Sequence, residues 1–327
     1  MSVMTVREAI NSALAEEMRR DPSVVLMGCD VALKGGPFGV TLGLLKEFGP
    51  ERVYDTPISE PGFTGIGVGL AATGIRPVIE IMFCDWVTLA MDQIVNMAAK
   101  MRYMFGGKVN MPIVFRIPFG AGGGQAAQHS QSLEAWFNHV PGLKIVVPST
   151  PADYKGLLKA AIRDDNPVLF FEHKRNYMLK GEVPSGDYIK PLGKADIKRS
   201  GADVTIVTYS SMVFSSLEAA EALEKEGIDC EVIDLCTLLP LDYDTVLASI
   251  AKTNRVVVVH EAQKRGGIGS DIVAEIVERG FDLLDAPPLR VGALNIPVPY
   301  NEALEKMCLP DAGKIAECVR KLVNNQI

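Results

Sequence analysis

The chain reads as an α/β protein in two domains, each a mostly parallel sheet layered with helices. Two observations predict this. Short apolar runs bounded by turn residues alternate with stretches of helical periodicity, the pattern of strand-helix-strand units. The alternation dissolves between 180 and 201, where Gly, Pro, Lys and Asp dominate, and then restarts. With 327 residues, 48% of them hydrophobic and 22% charged, the chain can bury two cores of ordinary globular composition. The pattern predicts one domain over 1–185, a linker over 186–200 and a smaller domain over 201–327.

Thr5 to Arg20 carries Val6, Ala9, Ile10, Ala13, Leu14 and Met18 at helical spacing, opened by Thr5 and Glu8 as a capping box. Val24–Met27, Arg52–Asp55, Val78–Phe83, Ile113–Ile117, Lys144–Val147 and Val168–Phe171 read as strands. Between them, Leu89–Met104 and Ala152–Ile162 read as helices, the latter started by Thr150 and Pro151. In the second domain Val204–Thr208, Cys230–Leu235 and Arg255–Val259 read as strands, with helices over 215–226 and 242–252. There is no short-period repeat and no low-complexity tract.

The net charge of −7 argues against a nucleic-acid partner. Residues 1–200 hold 22 Lys and Arg against 20 Asp and Glu, whereas 201–327 hold 11 against 20, so the second domain is an acidic body. It is either a solvated surface or a docking face for a basic protein. No apolar run has the length of a membrane span and the start lacks a signal-peptide core, so a cytoplasmic protein with no membrane association is expected. Six cysteines without a Cys-x-x-Cys pair read as reduced, buried thiols.

The segment Pro57-Ile-Ser-Glu60-Pro-Gly62-Phe-Thr-Gly65-Ile-Gly67-Val-Gly69 hangs one carboxylate at the head of a glycine-studded apolar helix. Burial there would raise the pKa of Glu60 and suit it to proton transfer. Alternatively Ser59 or Glu60 simply caps the helix and the glycines permit close packing. Gly67-Val-Gly69-Leu-Ala-Ala72 fits a loose dinucleotide fingerprint, but its glycines fall inside the helix and not at the turn after a strand, so that reading fails. The loop Gly120-Ala-Gly122-Gly-Gly124 leads to Gln128-His129-Ser130-Gln131, where His129 is either a hydrogen-bonded structural residue or a proton donor and acceptor beside an acid such as Glu60. Trp86 follows a strand, near the sheet edge where open α/β folds bind ligands; it could stack on a flat heterocycle or belong to the core. At His260-Glu261, the glycines of Gly266-Gly-Ile-Gly269 make either an anion nest or a close helix contact.

Several segments in order resemble a known family. They are Ile58-Ser-Glu60-Pro-Gly-Phe-Thr-Gly-Ile, Gly74-Ile-Arg-Pro77-Val-Ile-Glu80, Asp92-Gln-Ile-Val-Asn96, Gln128-His-Ser-Gln131, Pro141-Gly-Leu-Lys and Gly156-Leu-Leu-Lys-Ala-Ala-Ile. Asp234-Leu-Cys-Thr, Pro240-Leu-Asp, Lys252-Thr-Asn-Arg and Ala286-Pro-Pro-Leu-Arg290 extend the match through the second domain. Together they resemble the β subunit of the thiamine-diphosphate-dependent 2-oxoacid dehydrogenase decarboxylase component. Met101-Arg-Tyr-Met-Phe-Gly-Gly-Lys108 and Phe171-Glu-His-Lys174 look closer to its acetoin dehydrogenase members than to pyruvate dehydrogenase.

The resemblance implies two three-layer α/β/α domains, a transketolase-like pyrimidine-binding domain and a transketolase C-terminal-like domain. It also implies that Glu60 shares a proton with the aminopyrimidine of thiamine diphosphate, favouring the imino tautomer that generates the thiazolium ylid. Met82 and Trp86 would hold the pyrimidine ring, Trp86 standing where the family usually has Phe or Tyr. His129 would help pass the acyl group to a lipoyl arm. Ile113, Ala161, Ile162, Asp164 and Asn166 match a structural potassium site built of carbonyls and one carboxylate. The chain lacks the Gly-Asp-Gly and Asn motif that holds the diphosphate through magnesium. The resemblance therefore implies an α subunit supplying it in an α2β2 tetramer, with the acidic second domain docking a lipoyl acyltransferase. Two departures stand out: Cys29 replaces an acidic residue of a proton relay, unless Asp30 substitutes, and Cys236 replaces an arginine. The alternatives are the C-terminal half of a split transketolase and a non-catalytic scaffold for the acyltransferase.

Overall fold

The computed structural model describes residues 1–326. The chain divides into two compact units: Met1–Phe119 with Trp136–Leu192, and Gly120–Ala135 with the residues from Gly193 onward. The glycine-rich loop that carries His129 thus clusters with the second unit.

In the first unit, β1 (Ser2–Thr5) pairs antiparallel with β8 (Lys180–Val183). The main sheet contains β2 (Val24–Gly28), β3 (Val53–Asp55), β4 (Arg76–Glu80), β5 (Val114–Phe119), β6 (Lys144–Val146) and β7 (Val168–His173) in the order β6-β7-β5-β4-β2-β3. Every pair among these six is parallel. Parallel strands covered on both faces need continuous apolar runs, which is why these segments were legible as strands. The helices are α1 (Val6–Arg20), α2 (Leu44–Phe48), α3 (Glu60–Ala72), α4 (Ala99–Met104), α5 (Glu134–Asn138) and α6 (Pro151–Arg163). α1 starts on the predicted Thr5–Glu8 capping box, and α6 on a second box formed by Thr150 and Asp153. These two helices pack on each other.

The second unit contains β9 (Asp196–Arg199), β10 (Val204–Thr208), β11 (Cys230–Asp234), β12 (Thr237–Leu239), β13 (Val256–Gln263) and β14 (Leu289–Ala293). Five of them form a sheet ordered β14-β13-β10-β11-β9, parallel except for β9. Its helices are α7 (Met212–Glu224), α8 (Tyr243–Thr253), α9 (Gly269–Gly280), α10 (Glu302–Cys308) and α11 (Ala312–Val323). Ile206, Val232 and Val257 share one core with Ala219 and Leu223 of α7 and Ile315 and Val319 of α11.

Two sequence expectations change. The single helix over Leu89–Met104 is three segments, a 3-10 turn over Cys84–Ala90, a π-helix over Gln93–Ala98 and then α4. Widening to π geometry inserts a residue into the turn, which apolar periodicity does not report. The stretch 180–201 also holds β8 and β9, whose polar composition suits half-exposed edge strands. All six cysteines are free thiols, and all but Cys318 are buried. No helix among the described residues is long and apolar enough to cross a membrane.

Candidate active site

Glu60 is the first residue of α3, followed by Pro61, and it is only 3% exposed. Ser59 occupies the cap position but its side chain makes no cap bond. Among the described residues no donor reaches the Glu60 carboxylate, while its backbone carbonyl accepts from the Thr64 hydroxyl. The capping alternative therefore fails. A carboxylate that bonds no other side chain leaves its oxygens to solvent or to a ligand, so the corner suits a ligand that brings a polar nitrogen to it.

The glycines of α3 do lie inside the helix, as close packing requires. A Cβ on Gly67 would stand 2.8 Å from Ile79 Cδ1 and 3.2 Å from Ile113 Cδ1, so only glycine lets α3 settle onto β4 and the start of β5. Gly69, by contrast, faces open space.

Cys29 follows β2 at the same sheet edge. Its Sγ lies 3.7 Å from Thr56 Oγ1 and 3.6 Å from the Pro57 carbonyl. Burial pushes this thiol up, and the charges of Glu60, Asp30 and Asp55 push it further, so Cys29 stays a neutral thiol beside the Glu60 corner. Asp30 is committed to Lys34, 3.2 Å away.

Met82 and Trp86 follow β4, both half-buried, and the turn holding Trp86 packs against α3. Trp86 meets Phe83 edge to face at 5.1 Å, Phe83 meets Phe38 at 5.6 Å, and Phe38 stacks on Tyr177 at 5.1 Å. The indole is thus held from one side without being sealed into the core.

Beneath this edge lies a cluster that the sequence reading missed. Arg116 is fully buried; its Nε and Nη2 donate to the two Glu172 oxygens at 2.7 and 2.8 Å, while Nη1 donates to Glu80. Tyr177 also donates to Glu172 at 2.8 Å. Burial raises the Glu80 carboxyl, with Arg116 opposing. The signal was present: one charge each inside the apolar runs of β4, β5 and β7, with Glu80 in register with Arg116.

Of the potassium-matching residues, Ala161, Ile162, Asp164 and Asn166 lie at and just after the end of α6, and Ile113 lies just before β5. The Ile162 and Asp164 carbonyls accept from Arg76 Nη1 at 3.1 and 3.0 Å, the Ile113 carbonyl from Val168 N–H at 2.9 Å, and the Ala161 carbonyl from Asp164 N–H at 3.2 Å. Asp164 Oδ1 accepts from Asn166 and Oδ2 pairs with Lys144. Each carbonyl keeps a second lone pair, so the set suits a hard cation, which would share it with Arg76 and Lys144.

His129 lies in the second unit, half-buried, after a loop with positive φ at Gly120, Gly122, Gly124 and Ala126. Ser130 does not cap α5; its hydroxyl is buried without a partner. At the other corner, Gly267, Gly269 and Gly292 each leave no room for a Cβ beside the His260 ring, so those glycines serve close packing and not an anion nest. Burial pulls His260 down to about 4, with its Nδ1 on the Ala262 carbonyl at 3.1 Å.

Comparison with known proteins shows the family of the chain. The family model "Transketolase, pyrimidine binding domain" covers residues 2–180 and "Transketolase, C-terminal domain" covers 193–315. The chain is 49% identical to the pyruvate dehydrogenase E1 component subunit beta of Rhizobium meliloti, covering 98% of this chain and 70% of that protein. It is equally 49% identical to two Bacillus subtilis proteins. One is the acetoin:2,6-dichlorophenolindophenol oxidoreductase subunit beta (98% and 97% covered), the other the 2-oxoisovalerate dehydrogenase subunit beta (98% and 99%). Among solved structures, a split gene transketolase described as an inactive beta4 tetramer superposes with a TM-score of 0.81 at 26% identity, 98% of both chains being covered. A Pichia stipitis transketolase mutant shares the fold with a TM-score of 0.71 at 17% identity, covering 99% of this chain and 46% of its own.

Proposed function

The chain belongs to the β-subunit family of the thiamine-diphosphate-dependent 2-oxoacid and acetoin dehydrogenases, and from that premise we propose that it supplies the pyrimidine-binding half of a site completed by an α subunit. Glu60 holds a proton at the aminopyrimidine ring nitrogen, and Trp86 and Met82 hold the ring in place. Bound thiamine diphosphate supplies the carbon nucleophile that attacks the carbonyl of a 2-oxoacid or acetoin. His129 assists transfer of the acyl group to a lipoyl arm. The α subunit, in an α2β2 assembly, carries the magnesium and the diphosphate. Ile113, Ala161, Ile162, Asp164 and Asn166 would hold potassium, and the acidic second domain docks the lipoyl acyltransferase through charge.

One observation carries this reading: Glu60, 3% exposed at a helix head, caps nothing and accepts no side-chain hydrogen bond among the described residues. Equal identity to pyruvate, acetoin and 2-oxoisovalerate enzymes leaves the substrate to experiment. Reconstitution with an α partner, thiamine diphosphate and magnesium, assayed on all three substrates with an artificial electron acceptor, identifies it. In the same assay Glu60→Gln lowers turnover by roughly 100-fold or more while the variant still assembles by gel filtration. Near-normal turnover of the assembled variant would show that Glu60 holds no catalytic proton.

A further inference from the structure

We propose that Glu305 and Glu261 are positioning residues that clamp the loop presenting His129, a proposal that rests on the acyl-transfer role given to His129 above. The loop leaves β5 with φ of 89° at Gly120, 97° at Gly122, 61° at Gly124 and 61° at Ala126. Four left-handed residues within seven allow no helical or strand ladder, so the backbone N–H groups need other acceptors. They find two carboxylates. Ala121 N–H donates to Glu261 Oε1 at 2.7 Å, and Gly122 and Gly124 donate to Glu305 Oε1 and Oε2 at 2.8 and 3.1 Å. Glu261 is 5% exposed and Glu305 3%.

A concave run of N–H groups of this kind is what binds phosphates and other anions. Here the chain's own side chain fills it: the pocket that the glycines open is closed by α10. Charge-assisted bonds to a bidentate carboxylate hold geometry more firmly than neutral ones. Behind the clamp, Ala121 packs with Ala293, Val298 and Leu309. Beyond it, Gly123 and Gly124 line an open cavity of about 630 Å³ together with Tyr300, Asn301, Glu302 and Lys306, and a Cβ on Gly124 would stand 3.4 Å from the Tyr300 carbonyl oxygen. The downstream stem is tied as well, by Gly120 N–H to the Gln131 carbonyl at 3.2 Å and by Tyr209 to Glu134 Oε1 at 2.5 Å. His129 therefore rides between two anchored stems, and the upstream anchor is Glu305 with Glu261.

The test uses the chain assembled with its α partner. Glu305→Gln keeps the shape but turns an amide donor toward a backbone donor; Glu305→Ala removes both acceptors. We expect hydrogen exchange at the Ala121, Gly122 and Gly124 amides to accelerate at least tenfold in Glu305→Gln. We also expect the ratio of acyl transfer to a lipoylated domain over artificial-acceptor turnover to fall at least fivefold, through kcat and not KM for the lipoylated domain. Wild-type exchange, or accelerated exchange with an unchanged ratio, overturns the proposal; should Glu305→Ala fail to assemble, the isosteric Glu305→Gln decides alone. His129→Asn separates the two layers. If it leaves the transfer ratio at the wild-type value, the role of His129 is wrong, and if it collapses the ratio while Glu305→Gln does not, the clamp alone is wrong.

Discussion

The glycines of α3 offer a paired perturbation that links packing to the Glu60 corner. Gly67→Ala gains about 1 kcal/mol of helix propensity. Against that, the new methyl would stand 2.8 and 2.9 Å from the Cδ1 and Cγ1 of Ile79 and 3.2 Å from Ile113, both fully buried. Forcing a methyl into such a core costs about 1–3 kcal/mol, so the variant should lose about 0–2 kcal/mol net. Gly69→Ala meets nothing within 4 Å on an exposed face and should gain about 0.5–1 kcal/mol. The helix can relieve the clash by lifting off the sheet, and Glu60 lies seven residues away, about 10 Å along the axis. Because misplacement by about 1 Å can cost a catalytic group two orders of magnitude, Gly67→Ala should lower reconstituted turnover by about tenfold, with Gly69→Ala as the stability comparison. Urea midpoints of the two isolated variants, followed by far-ultraviolet circular dichroism, measure the first effect. A Gly67→Ala midpoint equal to or above that of Gly69→Ala would refute the close-packing argument.

Two further perturbations read buried charge. Burial lifts Glu134 to about 7, with the bond from Tyr209 pulling it down and Glu261 adding to the rise. A carboxyl raised in the folded state favours folding below its unfolded pKa of 4.5 and loses that contribution as pH climbs to about 7, a change of about 3 kcal/mol at most. Glu134→Gln should flatten the fall in urea midpoint between pH 4.5 and 7, and an unchanged slope would assign the pH dependence elsewhere. Arg116→Met strands Glu80 and Glu172 without their cation, which should cost about 3–5 kcal/mol. At the usual scaling for a domain of this size that is a melting-point drop on the order of 10 °C, and a drop of less than 2 °C would mean the cluster is not a buried ion network.

Legibility followed burial. Central parallel strands such as β2, β5 and β7 are buried along their whole length and mostly apolar, so composition located them to within a few residues. A capping box placed the start of α1, and Thr150 with Pro151 the start of α6, because cap chemistry is local. Edge strands β8 and β9 carry the polar residues that an exposed edge requires and looked like linker. The segment over 89–104 read as one helix because 3-10, π and α turns share apolar neighbours at three to four residues. Trp86 was placed at the sheet edge only because the strand before it was recognisable.

The sequence by itself determined the α/β class, the two-part organisation, the family and the candidate acid Glu60, because these depend on local periodicity and on motifs contiguous in the chain. Tertiary structure decided what those residues are free to do. That Glu60 caps nothing, that Arg116 joins Glu80 to Glu172 across 36 and 56 positions, and that Glu305 reaches back 183 residues to hold Gly122 are facts of hydrogen-bond satisfaction. A buried donor or acceptor must find a partner wherever the fold brings one, and that distance in space has no counterpart in spacing along the chain.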